Sequence, residues 1–371
     1  MKDVMGIVND IKIKRDLRDL VSHRSTAAVP FGGRYRVVDF VLSNMANGGI
    51  KNVGIFTQSN NRSLLDHVDS GKAWDLFNKR GGLFILPPTF SYERFGNRLG
   101  DIDHFYNHMD YLERSTQQYV LISNSNSIYN MDYSKIKEAY EKSGADIVIL
   151  YQRKKEWDSS IKYVSMIMDE KSKIVDMSVN KLIGNNSFKD MGVAFMKKEL
   201  FMEIIRECHS KGLNDFVKDG LIKNTKKYNM YGMPYDGYVA NIDSINNYYK
   251  HNMNLLKPEI WKQLFFKEGL INTKVKDEAP SKYNKTAKVS NSLVANGCII
   301  EGEVINSILF RGVKVGKNVT VKNSILMQKN VIHEGCQLEH VILDKDVVVT
   351  EGKVLKGDEG YPFVVSKKTV L

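Results

Sequence analysis

The stretch YVLISNSNSIYNMDY, Tyr119–Tyr133, lays out a site and omits its acid. Tyr119-Val120-Leu121-Ile122 reads as a buried strand, and five small polar residues, Ser123 to Ser127, precede a helix signal at Tyr133-Ser134. In an open α/β sheet, ligands collect beyond the carboxyl ends of the strands. An enzyme that handles phosphates through a metal ion wants a carboxylate there, and this chain offers Asn124 and Asn126. Other chemically capable residues are scattered. His104 and His108 stand at i and i+4 with no third ligand in view, so surface or partly buried histidines are the better reading than a metal pair. Arg34 and Arg36 flank Tyr35 after a Gly-Gly turn, as candidate anion contacts or as ion-pair supports for the helix that follows. Cys208, Cys298 and Cys336 are too far apart for a disulfide framework or a zinc site, and fit free thiols in a reducing cytoplasm.

The elements that would position these residues alternate between strand and helix. Val4–Val8 and Val53–Gln58 read as buried strands. Between them Val37, Val38, Val41, Leu42 and Met45 recur at helical spacing until Gly48-Gly49. Ile102, Phe105, Tyr106, Met109 and Leu112 predict one helix face, followed by the strand at Tyr119. A helix near Ser134–Ser143, the strand ADIVILYQ, the segment MGVAF and the helix KKELFMEIIRECH continue the pattern, and a helix over Ser244–Leu256 ends before Pro258. Strands alternating with helices predict a mostly parallel sheet in a Rossmann-like α/β domain, residues 1–256.

After a polar, turn-rich linker, residues 257–286, the periodicity changes. Val313, Val319, Ile325 and Val331 are spaced by six, as are Val315, Val321 and Met327, and Val341 and Val347. One inward residue per six-residue step predicts a parallel β-helix over residues 287–371. At 371 residues, with 42% hydrophobic and 26% charged side chains, two globular parts are expected. No apolar run spans a bilayer, and the N-terminus lacks a signal-like core. The formal charge of +11 is spread along the chain, which favours a solvated lysine-rich surface, and no nucleic-acid module is present.

Three segments carry a family resemblance. AAVPFGGRYRVVDFVLSNMANGGIKNVGIFTQ (Ala27–Gln58), NSIYNMDYSKI (Asn126–Ile136) and the hexapeptide run Val289–Gln328 resemble, in order, the ADP-glucose pyrophosphorylases (glucose-1-phosphate adenylyltransferases). The resemblance extends from Gly6 to Gly352. It implies a nucleotidyltransferase α/β domain joined to a left-handed β-helix, and an activity making ADP-glucose from ATP and glucose 1-phosphate with Mg²⁺.

The departures from that pattern fall on the chemistry. The family's glycine-rich phosphate loop is replaced by GIVNDIKIKRDLRDL, where Ile11, Ile13 and Leu17 are bulky and no glycine follows Gly6 until Gly32, although Lys14, Arg15 and Arg18 remain basic. Thr26 stands where the family has a lysine. By alignment Asn126 and Asn241 replace the two metal-binding aspartates, so Mg²⁺ binding is expected to be lost. Asp243 lies two residues further on. Of the family's glutamate-lysine pair, Lys181 remains and Asn180 replaces the acid. Gln58 matches a family glutamine near the nucleotide base, Gly100 and Asp103 match part of the family's second glycine turn, and Gln58, Gly100 and Lys181 are candidate vestigial ligand contacts.

The resemblance therefore points to the GlgD-type subunit of this family. The expectation is a non-catalytic regulatory partner of a catalytic homologue in glycogen synthesis, in a hetero-oligomer, as a tetramer, with a sugar phosphate or nucleotide as effector. Two alternatives stand beside it: a divergent but active adenylyltransferase, and a binding protein that senses sugar phosphates or nucleotides.

Overall fold

The computed structural model describes residues 1–12, 15–78, 81–88, 100–153, 163–179 and 187–371. Among the described residues nine strands form the main sheet: β1 (Val4–Asp10), β2 (Asn52–Thr57), β3 (Gly82–Leu86), β4 (Tyr119–Asn124), β5 (Ile147–Gln152), β6 (Val164–Met168), β7 (Ile174–Val179), β8 (Ser187–Lys197) and β9 (Met230–Tyr235). The path runs β7-β6-β8-β4-β1-β2-β3, with β5 pairing β8 and β9. β1 runs parallel to β2 and β4, β2 to β3, and β5 to β9.

Both faces of this sheet are buried, so its inner strands are continuously apolar. Val4 and Val8 enter one core with Val53, Ile55 and Leu121. Met5 and Ile7 enter the opposite core with Phe56, Val120 and Ile122. The helices are α1 (Val37–Asn47), α2 (Arg62–Val68), α3 (Asp101–Asn107), α4 (Met109–Arg114), α5 (Ser134–Ser143), α6 (Lys198–Ser210), α7 (Ile245–Met253) and α8 (Pro258–Phe266).

Two local expectations change. β8, which contains MGVAF, runs antiparallel to β4 and β5, because the β6–β7 hairpin before it supplies no crossover helix to reverse the chain. The helix expected over Asp101–Ser115 breaks at His108 (φ −113°, ψ 27°), whose ring Nε2 donates to Pro87 O at 2.8 Å. Tyr106 leaves the predicted apolar face and stacks on His209 at 3.6 Å.

The C-terminal part is a left-handed β-helix of three five-stranded parallel sheets. Lys314, Val331 and Val348 stack in one sheet and Ile308, Ile325 and Ile342 in another, so a coil takes 17 residues, except that the coils spanning the side between Ile299 and Glu303 take 15. Three equal sides would need 18. The inward line is Val315, Val321, Leu326, Ile332, Leu338, Leu343 and Val349, which advances by six, five and six. The strict sixfold register therefore fails on one side of the triangle: Ile325 and Met327 point outward and Val331 is half-buried.

That outward row has a partner. Ile308, Phe310, Ile325, Met327 and Ile342 pack against Phe31, Phe40, Tyr248, Tyr249 and Phe265 of the α/β side. Each such side chain contributes roughly 1.5–3 kcal/mol when fully buried. The stretch expected to link the two parts contributes α8, whose Leu264 and Phe265 enter this core. Lys282–Tyr283 already pairs with the next coil. Asn291, Asn306, Asn323 and His340 repeat at one corner with φ of 41–52°, a left-handed turn that asparagine tolerates. Tyr249 reaches this corner, its hydroxyl donating to Asn323 O at 2.6 Å and meeting His340 Nδ1 at 2.9 Å.

Candidate functional site

β1 ends at the sheet position where β2 and β4 flank it on either side, a crevice that binds ligands in open α/β sheets. Here the segment that follows β1 is anchored in a core rather than left open. Residues Arg15–Val21 form two short 3₁₀ turns joined by a kink at Arg18 (φ 44°), with Leu17 and Leu20 fully buried against Val29, Phe31 and Val37. Ile11 packs on the opposite core, and Ile13 and Lys14 lie outside the described residues. A phosphate cradle needs exposed backbone N–H groups that converge on an anion. In this chain one such group, Ala27 N–H, donates to Asp10 at 3.2 Å.

Asp10, the last residue of β1, is 1% exposed, and the same oxygen accepts from Ser125 Oγ at 2.6 Å. Its other oxygen is buried without a partner. Burial pushes this carboxyl up to about 6, against the hydrogen bonds that favour its charge. The sequence reading missed Asp10. Its signal was an acid closing a run of strand residues.

Lys12 spans the crevice mouth, with Nζ 3.0 Å from Asp215 and 3.4 Å from Asp101. Although burial opposes its charge, the two acids hold the ammonium above its ordinary range. Burial pushes Asp101 up despite Lys12; Asp101 also accepts from Asn9 Nδ2 at 3.1 Å and Phe216 N at 2.8 Å. Gly100 caps α3, and a Cβ there would sit 1.9 Å from Asn214 O, so glycine is required by close approach. Gln58 follows β2 with its Nε2 buried and unpartnered, and Thr26 Oγ1 is likewise buried and unpartnered. Asn124 lies over Gly192. The space between Asn9, Asn124, Asp190 and Gly192 is about 20 Å³, room for roughly one water.

The two positions aligned with metal-binding acids do come together. Ser127–Ile128 and Ala240–Asn241 form a two-stranded ladder that pairs Asn241 with Ser127, and Ile242 N donates to Asn126 O at 2.7 Å. Asn241 Oδ1 accepts from Ser127 Oγ at 3.0 Å. Asp243 Oδ1 accepts from Asn247 Nδ2 at 2.8 Å, at the start of α7. Mg²⁺ dehydrates reluctantly and is usually held by carboxylates. Two neutral amides, one already accepting a hydroxyl, do not fit it. Among the described residues no group of three His, Cys, Asp or Glu side chains could hold a metal ion. His104 is buried in α3, and His108 is tied to Pro87 through its Nε2. Lys181 and Asn180 lie outside the described residues.

A second concentration of charge lies where the coil meets the α/β domain. Arg36 donates to Ser63 Oγ at 2.9 Å and to Ser63 O, and burial pushes its guanidinium down to about 10. Its N–H caps α1 through Asp39 Oδ2 at 2.9 Å, and the other Asp39 oxygen meets His67 Nε2 at 2.5 Å. Lys345, from the coil, is driven down to about 7 by burial and then by repulsion from Arg36 and Arg24. Lys276 and Arg311 are also lowered, first by burial and then by neighbouring cations. Arg34 is exposed and lies over the Tyr35 ring at 5.5 Å. Of these, sequence reasoning found Arg34 and Arg36. The others are remote in the chain and meet only through the fold.

Residues 15–257 match the nucleotidyl transferase family model, and residues 276–369 match a GlmU-like C-terminal hexapeptide model. The chain is 38% identical over 367 residues to the glycogen biosynthesis protein GlgD of Bacillus subtilis, covering 99% of this chain and 96% of that one. It therefore belongs to the glucose-1-phosphate adenylyltransferase family of nucleotidyl transferases. GlgD of Geobacillus stearothermophilus is 40% identical over 370 residues, covering 99% of this chain and 97% of the relative. A family member named glucose-1-phosphate adenylyltransferase, from Bacillus cytotoxicus, is 33% identical over 357 residues, covering 94% and 93%. Among the described residues no helix is long and apolar enough to cross a membrane.

Proposed function

We propose that this chain is a non-catalytic regulatory subunit of an ADP-glucose pyrophosphorylase in glycogen synthesis. It assembles with a catalytic homologue into a hetero-oligomer, a tetramer, and shifts that homologue's active conformation. The cations at the domain junction receive an anionic effector, a sugar phosphate or a nucleotide. One observation carries this reading: the nucleotidyl transferase part and the hexapeptide coil are both kept, while the two neighbouring positions aligned with metal-binding acids are Asn126 and Asn241. Phosphoryl-type transfer depends on positioning and on neutralising phosphate charge, and the leucine-filled loop and amide pair supply neither. Selection on assembly explains a retained fold with a lost site. A partner acts this way only by binding one state of the homologue more tightly than another, typically by about 1–3 kcal/mol.

One observation favours a divergent active enzyme instead. Asp10 places a carboxylate with one unpartnered oxygen beside Ser125, next to Asn126. Co-expression with the catalytic homologue of the same genome separates the two. The regulatory reading expects negligible ADP-glucose from this chain alone with Mg²⁺, a mixed species heavier than either chain, and altered saturation or effector curves. Turnover by the isolated chain at enzyme-like rates, on the order of 1–10³ per second, would favour the active enzyme. Absence of any mixed complex, with unchanged kinetics of the homologue, would overturn the regulatory role.

A further inference from the structure

Arg24 and Asp344 meet across the junction, 320 residues apart in sequence. One guanidinium nitrogen, Nη2, lies 2.8 Å from both carboxylate oxygens, and the side chains are 2% and 1% exposed. The other terminal nitrogen, Nη1, is buried without a partner. A guanidinium can hold an anion with two parallel hydrogen bonds, and this one is half used. Asp344 also accepts from Lys345 N–H at 2.7 Å. Around this pair the cations outnumber the acids, with Asp39 and Asp66 the carboxylates that attract Arg36. Arg36, Arg24 and Lys276 all repel the Lys345 amine, and Asp344 is the carboxylate that attracts it. Asp39 is committed to Arg36 N–H and His67.

We propose that Asp344 is a tethered anion occupying the junction cluster in the resting chain, and that an anionic effector acts by displacing it from Arg24. This rests on the effector reading of the junction given above. A desolvated ion pair contributes little net stability, because its attraction roughly repays the loss of hydration. A phosphate group brings up to two charges and several acceptor oxygens, enough to engage both terminal nitrogens of Arg24 together with Lys345 and Arg36. Asp344 sits on the coil and Arg24 on the α/β domain, so the exchange removes a bond between the two parts. The affinity for effector is then set by competition with a residue of the chain itself.

The test uses the full chain, inorganic phosphate as probe, and chloride to hold ionic strength constant. Asp344→Asn keeps the shape and removes the charge. It should bind phosphate at least about tenfold more tightly than the unmodified chain, within the usual 5–150-fold range of coupled sites. Its thermal midpoint, lowered without phosphate, should recover on adding it. Arg36→Gln should weaken phosphate binding in either background. In the unmodified chain, the Lys345 amide should exchange its hydrogen faster at saturating phosphate, a readout that survives if the variant fails to fold. Equal phosphate affinity for Asp344→Asn and the unmodified chain, or unchanged Lys345 exchange while phosphate binds, would make Asp344 a plain domain clamp and leave the effector reading intact. No phosphate binding by any form would overturn both.

Discussion

Replacing Asp10 by asparagine should make the protein more stable at neutral and alkaline pH. The carboxyl is raised from an ordinary 3.8 to about 6 because burial disfavours its charge more than Ser125 and Ala27 favour it. At 1.36 kcal/mol per unit, keeping it ionised above pH 7 costs the folded state about 3 kcal/mol. The folded carboxyl holds its proton more tightly than the unfolded one. Stability is therefore greatest below about pH 4 and declines as pH rises through about 6. Asparagine keeps an oxygen to accept from Ala27 N–H and Ser125 Oγ, and its amide nitrogen takes the place of an oxygen that already lacks a partner. The assay is the difference in thermal midpoint between Asp10→Asn and the unmodified chain from pH 4 to pH 8. It should be near zero at the acid end and grow to roughly 4 °C by pH 8, since an unfolding entropy of about 2.1 cal/mol/K per residue makes each kcal/mol worth about 1.3 °C in a chain of this length. A variant less stable at pH 8, or a gain that does not change with pH, would refute the reasoning and show that the two hydrogen bonds outweigh burial.

Two further outcomes follow from the geometry. Asn126→Asp with Asn241→Asp should not bring turnover to enzyme rates, because Leu17 and Leu20 still fill the loop and Lys12 still bridges Asp101 and Asp215; ADP-glucose formation by the double variant checks this. Ile325→Ala should cost about 2–5 kcal/mol by opening the packed row against Phe40 and Tyr249, whereas Val331→Ala, half-buried on the coil, should cost less than about 1.5 kcal/mol, read by denaturant midpoints.

What the sequence disclosed depended on how local the cause was. The parallel centre of the sheet was readable because strands buried on both faces are apolar throughout, as Val4–Val8 are. The antiparallel course of β8 was not, because direction is set by the β6–β7 hairpin rather than by its own residues. The coil was evident from valines at six-residue steps. Its five-residue side was hidden because Ile325 and Met327, which face the α/β core, are as apolar as the inward Leu326 beside them. At the candidate site, Asn126 and Asn241 could be placed by resemblance, and the ladder pairs Asn241 with Ser127, the residue after Asn126. Asp10 could not, since its significance lies in what buries it. The junction cluster gathers Arg24, Arg36, Lys276, Arg311 and Lys345 from five stretches, and no local pattern announces such a meeting.

The 17-residue coil also fixes which changes of length the chain can absorb. Each turn presents one isoleucine to the α/β domain, at Ile308, Ile325 and Ile342, and one left-handed corner, at Asn306, Asn323 and His340. Length here comes in quanta. Removing or duplicating a whole turn preserves every stack and only moves the end of the rod. Removing six residues, although it matches the visible rhythm, rotates all later turns by one side and brings another face against Phe40 and Tyr249. The last turn escapes this rule by its own route: 22 residues separate Val341 from its stacking partner Phe363. The extra length is looped out over Lys356–Pro362, beside the 3₁₀ turns at Asp16–Asp19. Variation in length is thus free at the far end of the rod and counted in whole turns along its docked face.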